Sequence, residues 1–78
     1  MYRILTENKN LDQILPLIQD GTVYSAIGLW HGVKEKSLVI EITGEPLRVI
    51  ESIAREIKVI NNQEAVMIQE IPDQTELV

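Results

Sequence analysis

The chain has no cysteine among its 78 residues, only one histidine and only one tryptophan. Without cysteine, neither a disulfide framework nor a thiolate metal site can form. One histidine and scattered carboxylates also lack the spacing of a metal site, so we expect no metal and no other cofactor. No Ser, Cys or second His stands at a recognisable spacing from His31 to form a catalytic relay. Enzymatic activity is therefore the weaker class of function.

Basic residues are few as well. The chain contains seven Lys and Arg residues and twelve Asp and Glu residues, which gives a formal net charge of -5. Such a surface repels polyanions and lacks a basic cluster, so we expect no nucleic-acid binding. No apolar stretch approaches the ~20 residues that span a bilayer. The N-terminus shows no apolar h-region and no small-residue cleavage site, and we expect a cytoplasmic protein without membrane contact.

The length allows one domain, which we place at residues 1–72, with a loosely held tail at residues 73–78. A core of this size supplies only about 3 to 5 kcal/mol unless something covers or staples it.

Apolar spacing predicts the first two elements. Residues 2–6 favour a strand, because Tyr, Ile and Thr suit the pleated conformation. Apolar residues then recur at helical spacing from Leu11 to Ile18. Pro16 interrupts that spacing, so we expect a short or kinked helix, capped near Asn10 or Asp12 and ended by Asp20 and Gly21.

The middle of the chain predicts an antiparallel hairpin. A strand begins at Thr22 and ends near Trp30 and His31, and a second strand covers residues 37–43. The turn is placed at residues 32–36, where Lys34, Glu35 and Lys36 read most simply as a solvated loop.

The C-terminal part predicts a helix and a last strand. Gly44, Glu45 and Pro46 open the helix, and Asn61 with Asn62 ends it. Residues 65–71 form the strand, which Pro72 terminates.

The order strand, helix, strand, strand, helix, strand is that of a ferredoxin-like βαββαβ sandwich, with two helices on one face of a four-stranded antiparallel sheet. The fold class is α+β. The predicted core comprises Ile14, Ile18, Val23, Ile27, Leu29, Leu38, Ile40, Ile42, Ile50, Ile53, Ala54 and Ile57. The predicted uncovered face carries Tyr24, Ala26, Gly28, Trp30, Val39, Met67 and Ile71. Because so much apolar surface is unusual on a monomer, we expect another copy of the chain to cover it.

The candidate site lies on this face. Tyr24 and Trp30 bracket two small residues, Ala26 and Gly28, and the slot between them suggests stacking of a planar ligand such as a nucleobase. Packing of the rings in an oligomer interface is the reading that we favour.

Other polar candidates have simple structural readings. His31, a conceivable general base near Glu35 or Glu41, is read as a solvated residue at the strand end. Glu41 is expected either to pair across the sheet with Arg3 or to lie on an ordinary half-exposed strand. The amides and carboxylate of residues 61–64 offer a polar edge for a ligand, although helix termination explains them more simply.

Two resemblances follow from these residues. Trp30, Gly32, the strand at residues 38–43 and the following helix and strand resemble CutA-like and PII-like proteins of ferredoxin-like fold. Members of the CutA-like family are trimers, so this resemblance implies a similar fold and a tendency to form oligomers. Residues 23–30, 37–42 and 62–66 are similar to short uncharacterised proteins of bacteria and their phages, which implies an accessory protein that acts by binding.

The leading hypothesis is therefore a non-enzymatic homo-oligomer, a dimer or trimer, that engages another protein or a small ligand. A second hypothesis is a sponge or sensor for a nucleotide-like ligand, bound near Trp30 at a subunit interface. The third, a small cofactor-free enzyme that uses His31, has the least support. The combined candidate residues are Tyr24, Ala26, Gly28, Trp30, His31, Val39 and Glu41.

Overall fold

A computed structural model describes residues 1–72 of the chain. It contains four strands, two α-helices and one 3-10 turn. The strands are β1 (Tyr2–Glu7), β2 (Thr22–Trp30), β3 (Val33–Ile42) and β4 (Met67–Glu70). The helices are α1 (Leu11–Ile14), which continues into a 3-10 turn at Leu15–Leu17, and α2 (Leu47–Asn61).

The four strands form one antiparallel sheet in the order β2-β3-β1-β4. The expected α+β class and the four-stranded antiparallel sheet with two helices are confirmed. The central strands β1 and β3 supply all the buried strand residues, and Ile4 of β1 lies directly opposite Ile40 of β3. Burial of these central side chains provides the main driving force for folding.

The core lies between one face of the sheet and the helices, and we call this side of the sheet the helix face. Ile14 of α1 and Ile50 of α2 pack in the same buried cluster as Ile4 and Ile40. Val23, Ile18 and Ile53, which the sequence places in the core, are half-buried against this cluster. The fully buried members are Ile4, Ile14, Leu38, Ile40, Ile50 and Ile57.

The first helix is short and irregular, as the position of Pro16 predicts. A proline has no N–H to continue the α-helical bonding, and the chain passes into the 3-10 turn at this point. Asn10 is the N-cap, but its side chain does not cap α1. Its amide nitrogen donates instead to the carbonyl of Ile60 at 3.1 Å, which ties the start of α1 to the end of α2.

The second helix matches the expectation closely. It begins after Pro46 and ends at Asn61, and Asn62 follows with a left-handed backbone at φ 52°. Asparagine tolerates this conformation, so it ends the helix as the sequence predicts. The last strand is shorter than expected and begins at Met67 rather than at residue 65.

The hairpin turn is tighter than the expected five-residue loop. It consists of His31 and Gly32 alone, with φ of 51° and 77°. Positive φ at both central residues defines a type I′ turn, whose twist matches that of two antiparallel strands. The turn predicted at residues 32–36 is therefore wrong, and Lys34, Glu35 and Lys36 belong to β3.

Because of this tight turn, the hairpin extends beyond the rest of the sheet. β1 pairs with β3 only as far as Ser37, opposite Glu7. Residues 27–30 pair with residues 33–36, and the only further backbone bond to these residues in the described chain runs from the Asn8 N–H to the Lys36 carbonyl. We call residues 27–36 the arm.

The arm corrects the predicted core at two positions. Ile27 and Leu29 were expected to be buried, yet 73% and 70% of their surfaces are exposed. Their side chains do lie on the helix face, but neither helix reaches beneath the arm. The periodicity of a strand gives the face on which a residue lies, and only the length of the neighbouring elements gives its burial.

The predicted tail at residues 73–78 lies outside the described residues. Within residues 1–72, neither helix is long and apolar enough to cross a membrane.

Candidate interaction surface

The arm carries several large apolar side chains that are exposed to solvent. Trp30 is 67% exposed and Val33, its partner across the turn, is 64% exposed. With Ile27 and Leu29, they form a group of four large apolar side chains that meet water on both sides of a two-stranded ribbon. An isolated two-stranded hairpin is marginally stable in water, so an arm of this composition benefits from a further packing partner.

The pairing register divides the arm into two different sides. Ile27 lies opposite Lys36 and Leu29 opposite Lys34, so these side chains share the helix face. Gly28 lies opposite Glu35 and Trp30 opposite Val33, on the other side, which we call the open face. The helix face of the arm therefore combines apolar and basic groups, whereas the open face combines an aromatic ring with a carboxylate.

The body of the sheet exposes less apolar surface on its open face than the sequence suggests. Val39, one of the candidate residues, is only 6% exposed. It lies in a central strand with Leu5 opposite on one side and Tyr24 on the other. Because these neighbours cover Val39, its assignment to an exposed binding face is wrong.

An ion pair covers the adjacent part of the open face. The Arg3 guanidinium donates through Nε at 3.1 Å and Nη2 at 2.8 Å to Oε2 of Glu41. The hydrogen bond to Glu41 raises the pKa of Arg3, and the proximity of Tyr24 contributes in the same direction. The expected cross-strand pair is confirmed, and Glu41 serves the sheet rather than an exposed site.

The aromatic slot is wider than one ligand requires. Tyr24 and Trp30 are six residues apart on one strand, which places their Cα atoms roughly 20 Å apart. Ser37 lies across the slot, since a Cβ on Gly28 would come within 2.5 Å of the Ser37 Oγ. A planar ligand would therefore stack on one ring only, and nucleobase stacking at this position stays a prediction.

The distribution of charge gives little support to a phosphate-bearing ligand at Trp30. A shallow groove of about 830 Å³ lies beside the indole ring. Its acidic lining residues are Glu7, Glu35 and Glu64. Lys34 and Lys36 lie on the helix face of the arm and are not among the residues that line this groove.

His31 occupies the exposed tip of the arm. Its ring contacts Trp30 edge to face, with centroids 4.9 Å apart and an interplanar angle of 78°. Glu41 stands eight residues further along β3 than Val33, at roughly 27 Å. The fold therefore does not bring these two candidate residues together, and His31 acts as a turn residue with φ 51°.

The polar cluster after α2 is occupied by internal bonds. Asn61 is 2% exposed and donates to Oε1 of Gln63 at 2.8 Å and to the Glu7 carbonyl at 3.3 Å. Its Oδ1 accepts from Asn10 at 3.2 Å, while Thr6 donates to Gln63. No buried side-chain nitrogen or oxygen atom in residues 1–72 lacks a partner. These amides join α2 to β1, which favours the structural reading over a ligand site.

Sequence reasoning missed Val33 and the projection of the arm. The dipeptide His31-Gly32 was the available signal, because glycine at the second turn position permits a two-residue loop. Such a loop extends β3 back to Val33 and pairs four residues of each strand outside the core.

No protein-family model, no curated protein and no solved structure matches this chain. The function of the chain is therefore inferred from its own residues.

Proposed function

We propose that this chain is a non-catalytic interaction protein that works as a homo-oligomer and that its arm is the contact surface. The observation that carries the proposal is the arm itself, whose four large apolar side chains lie beyond the reach of either helix. Exposed apolar surface of this extent on a small domain typically marks an interaction site. An accessory role in a bacterium or phage, and a cytoplasmic location, belong to the same proposal.

A ferredoxin-like assignment is also part of this proposal. It is supported by the alternation of strands and helices and by the antiparallel order in which β1 and β3 are central and β2 and β4 are at the edges. The first crossover departs from a regular arrangement, because only four residues of it are α-helical before the 3-10 turn.

Trp30 and its neighbours provide the energy for association. Burying a large aliphatic or aromatic side chain contributes about 1.5 to 3 kcal/mol relative to leaving it in water. Tryptophan also anchors many protein interfaces, where a few residues contribute most of the binding energy. The arm supplies such an anchor together with Leu29, Ile27 and Val33, all of them exposed.

The experiment measures molar mass by size-exclusion chromatography with light scattering over a range of concentrations. One chain has a mass of 8.9 kDa, and we expect a mass at least twice as large for the wild type. The variant Trp30→Ser/Leu29→Ser should elute as single chains, because it removes two exposed apolar side chains of the arm.

Val59→Ser is the matched control, since Val59 is 80% exposed but lies on α2. It should leave the mass of the oligomer unchanged. A wild type that remains at 8.9 kDa at millimolar concentration would refute self-association. An oligomer that persists in the arm variant would show that the contact lies elsewhere.

A further inference from the structure

The outer edge of β2 is unusually open to another strand. β2 stands at one end of the sheet and pairs only with β3 within residues 1–72. Its nine residues include neither a charged residue nor a proline. Edge strands normally carry such residues, because exposed backbone N–H and C=O groups otherwise pair with other strands. The other edge, β4, has only four residues and ends at Glu70 shortly before Pro72.

The backbone groups that point outward from β2 can be identified. The backbone N–H of Asn8 donates to the carbonyl of Lys36 at 3.0 Å, so even-numbered residues of β3 bond to β1. Odd-numbered residues of β3 therefore bond to β2, and the two-residue turn places Trp30 in a bonded pair with Val33. In consequence, the backbone N–H and C=O groups of the even-numbered residues of β2 point toward β3. The outward N–H and C=O groups belong to Val23, Ser25, Ile27 and Leu29.

We propose that two copies of this chain pair along β2, antiparallel and about a twofold axis at Ala26, to form one continuous eight-stranded sheet. This inference rests on the proposed self-association and names its geometry. A twofold contact uses the same surface on both copies, so one self-complementary strand suffices to build it.

The register follows from counting the backbone bonds. With Ala26 opposite its own copy, Ser25 pairs with Ile27 of the second copy and Val23 pairs with Leu29. Each pair exchanges two hydrogen bonds. All the outward groups of these four residues are then satisfied, with eight bonds between the copies. Shifting the axis to Ser25 or Ile27 leaves outward backbone N–H and C=O groups at one end of β2 without a partner in β2 of the second copy.

The same register gives complementary side-chain pairs. Tyr24 lies opposite Gly28 of the second copy, so its ring meets no side chain of the directly paired residue and contacts the hydroxyl of that copy's Ser37, which lies over the glycine. Leu29, exposed at the far end of the arm, comes to lie beside Val23 of the second copy, which is half-buried against the core. Each arm is thus supported by the body of the other subunit.

Charge and area favour a second copy as the occupant. Two chains of net charge -5 repel each other, but β2 is neutral throughout, so no like charges are placed opposite each other in the new ladder. Five large side chains, Tyr24, Ile27, Leu29, Trp30 and Val33, are 42% to 73% exposed. At about 150 to 250 Å² for a large side chain, they leave roughly 600 Å² in water per chain. Two copies therefore expose on the order of 1,200 Å² of apolar surface, comparable with the lower limit of stable interfaces, and pairing along β2 covers the part of it that lies beside this edge.

Cysteine scanning tests the register, because the natural chain has no cysteine. Ala26→Cys places two thiols in a pair that is not hydrogen-bonded, with Cα atoms about 4.5 Å apart, within the range of a disulfide. We expect mild oxidation to convert most of this variant of the full chain into a covalent dimer. Ser25→Cys and Ile27→Cys should cross-link at least about tenfold more slowly, because the two-residue offset puts the Cα atoms of the two copies beyond the usual disulfide limit of about 7 Å.

Three other outcomes of the scan would overturn the proposal. A maximum at position 27 or 25 would place the axis at a different residue. A dimeric mass without preferential cross-linking at any β2 position would refute pairing along this edge and leave the proposed self-association intact. A monomeric wild type would refute both.

A proline variant tests the backbone bonds separately. The N–H of Ile27 points away from β3, so Ile27→Pro removes no bond within the subunit but two of the eight between copies. We expect the dimer dissociation constant to rise roughly 30-fold or more. Ile27→Val, which keeps the N–H, should change it by less than about fivefold. Far-UV circular dichroism of both variants verifies that the subunit remains folded. Equal dimer dissociation constants for Ile27→Pro and Ile27→Val would contradict edge pairing.

Discussion

The amide of Asn61 gives the sharpest test of how this small domain is held together. The side chain lies at the last residue of α2 and is 2% exposed. It donates to Gln63, Thr6 and the Glu7 carbonyl, and it accepts from Asn10. In Asn61→Ala these groups lose their common partner. We expect the variant to remain folded but to lose a large part of its stability.

The magnitude can be worked from the bonds. Two of the four contacts are long, at 3.3 Å, so we count about two effective hydrogen bonds, each contributing about 1 kcal/mol, plus a penalty of about 1 kcal/mol for the buried groups left unpaired. Alanine offsets about 0.5 kcal/mol through its higher helix propensity. The net loss is about 2 to 2.5 kcal/mol, which is half of what a core of this size supplies.

Thermal unfolding followed by far-UV circular dichroism measures this loss. At about 4 to 8 °C per kcal/mol for a domain of this size, Tm should fall by roughly 8 to 20 °C. Asn62→Gly is the matched control, because glycine adopts the left-handed backbone at position 62 without strain, and its Tm should not fall. Wild type and variants are compared at one concentration, since association shifts Tm. A decrease below about 4 °C for Asn61→Ala would refute the assigned role of the network.

Three further substitutions test local features of the fold by the same assay. Gly21→Ala should cost about 1 to 3 kcal/mol, because its Cβ would come within 2.8 Å of the Glu41 carbonyl oxygen; an unchanged Tm would contradict this close approach. His31→Asn should raise Tm by about 2 to 4 °C, since Asn-Gly is the preferred type I′ turn, and a decrease would argue against that turn. Val59→Lys should change stability by less than about 0.5 kcal/mol, as the side chain is exposed on α2, and a larger loss would reveal an unrecognised contact.

Local chemistry made much of the fold predictable. Pro16 predicts the interruption of the first helix, and Asn62 predicts the end of the second. The pairing of Arg3 with Glu41 follows from opposite charges on neighbouring strands. In each case the decisive interaction involves residues close in the chain or a simple cross-strand pair, so sequence patterns contain the necessary information.

The candidate surface was less predictable. The sequence predicts Trp30 as a large side chain on the open face, which the structure confirms, but it also predicts an exposed Val39, which neighbouring strands cover. Ile27 and Leu29 were assigned to the core, because alternation reveals the face of a strand and not its distance from the helices. Because the turn consists of His31 and Gly32 instead of the predicted five-residue loop, four more residues belong to β3 and form part of the arm. The set of apolar side chains exposed to solvent therefore differs from the predicted one.

The amino-acid sequence by itself determined the α+β class, the two helices, the hairpin and the neutral, apolar character of β2, because these depend on local propensity and on composition. Only the tertiary structure decided that β1 stops at Glu7, opposite Ser37, and that the hairpin therefore continues without support. The exposure of a side chain depends on the ends of elements distant in the chain. For that reason the surplus of apolar surface could be predicted, while its location on the arm and along the edge of β2 could not.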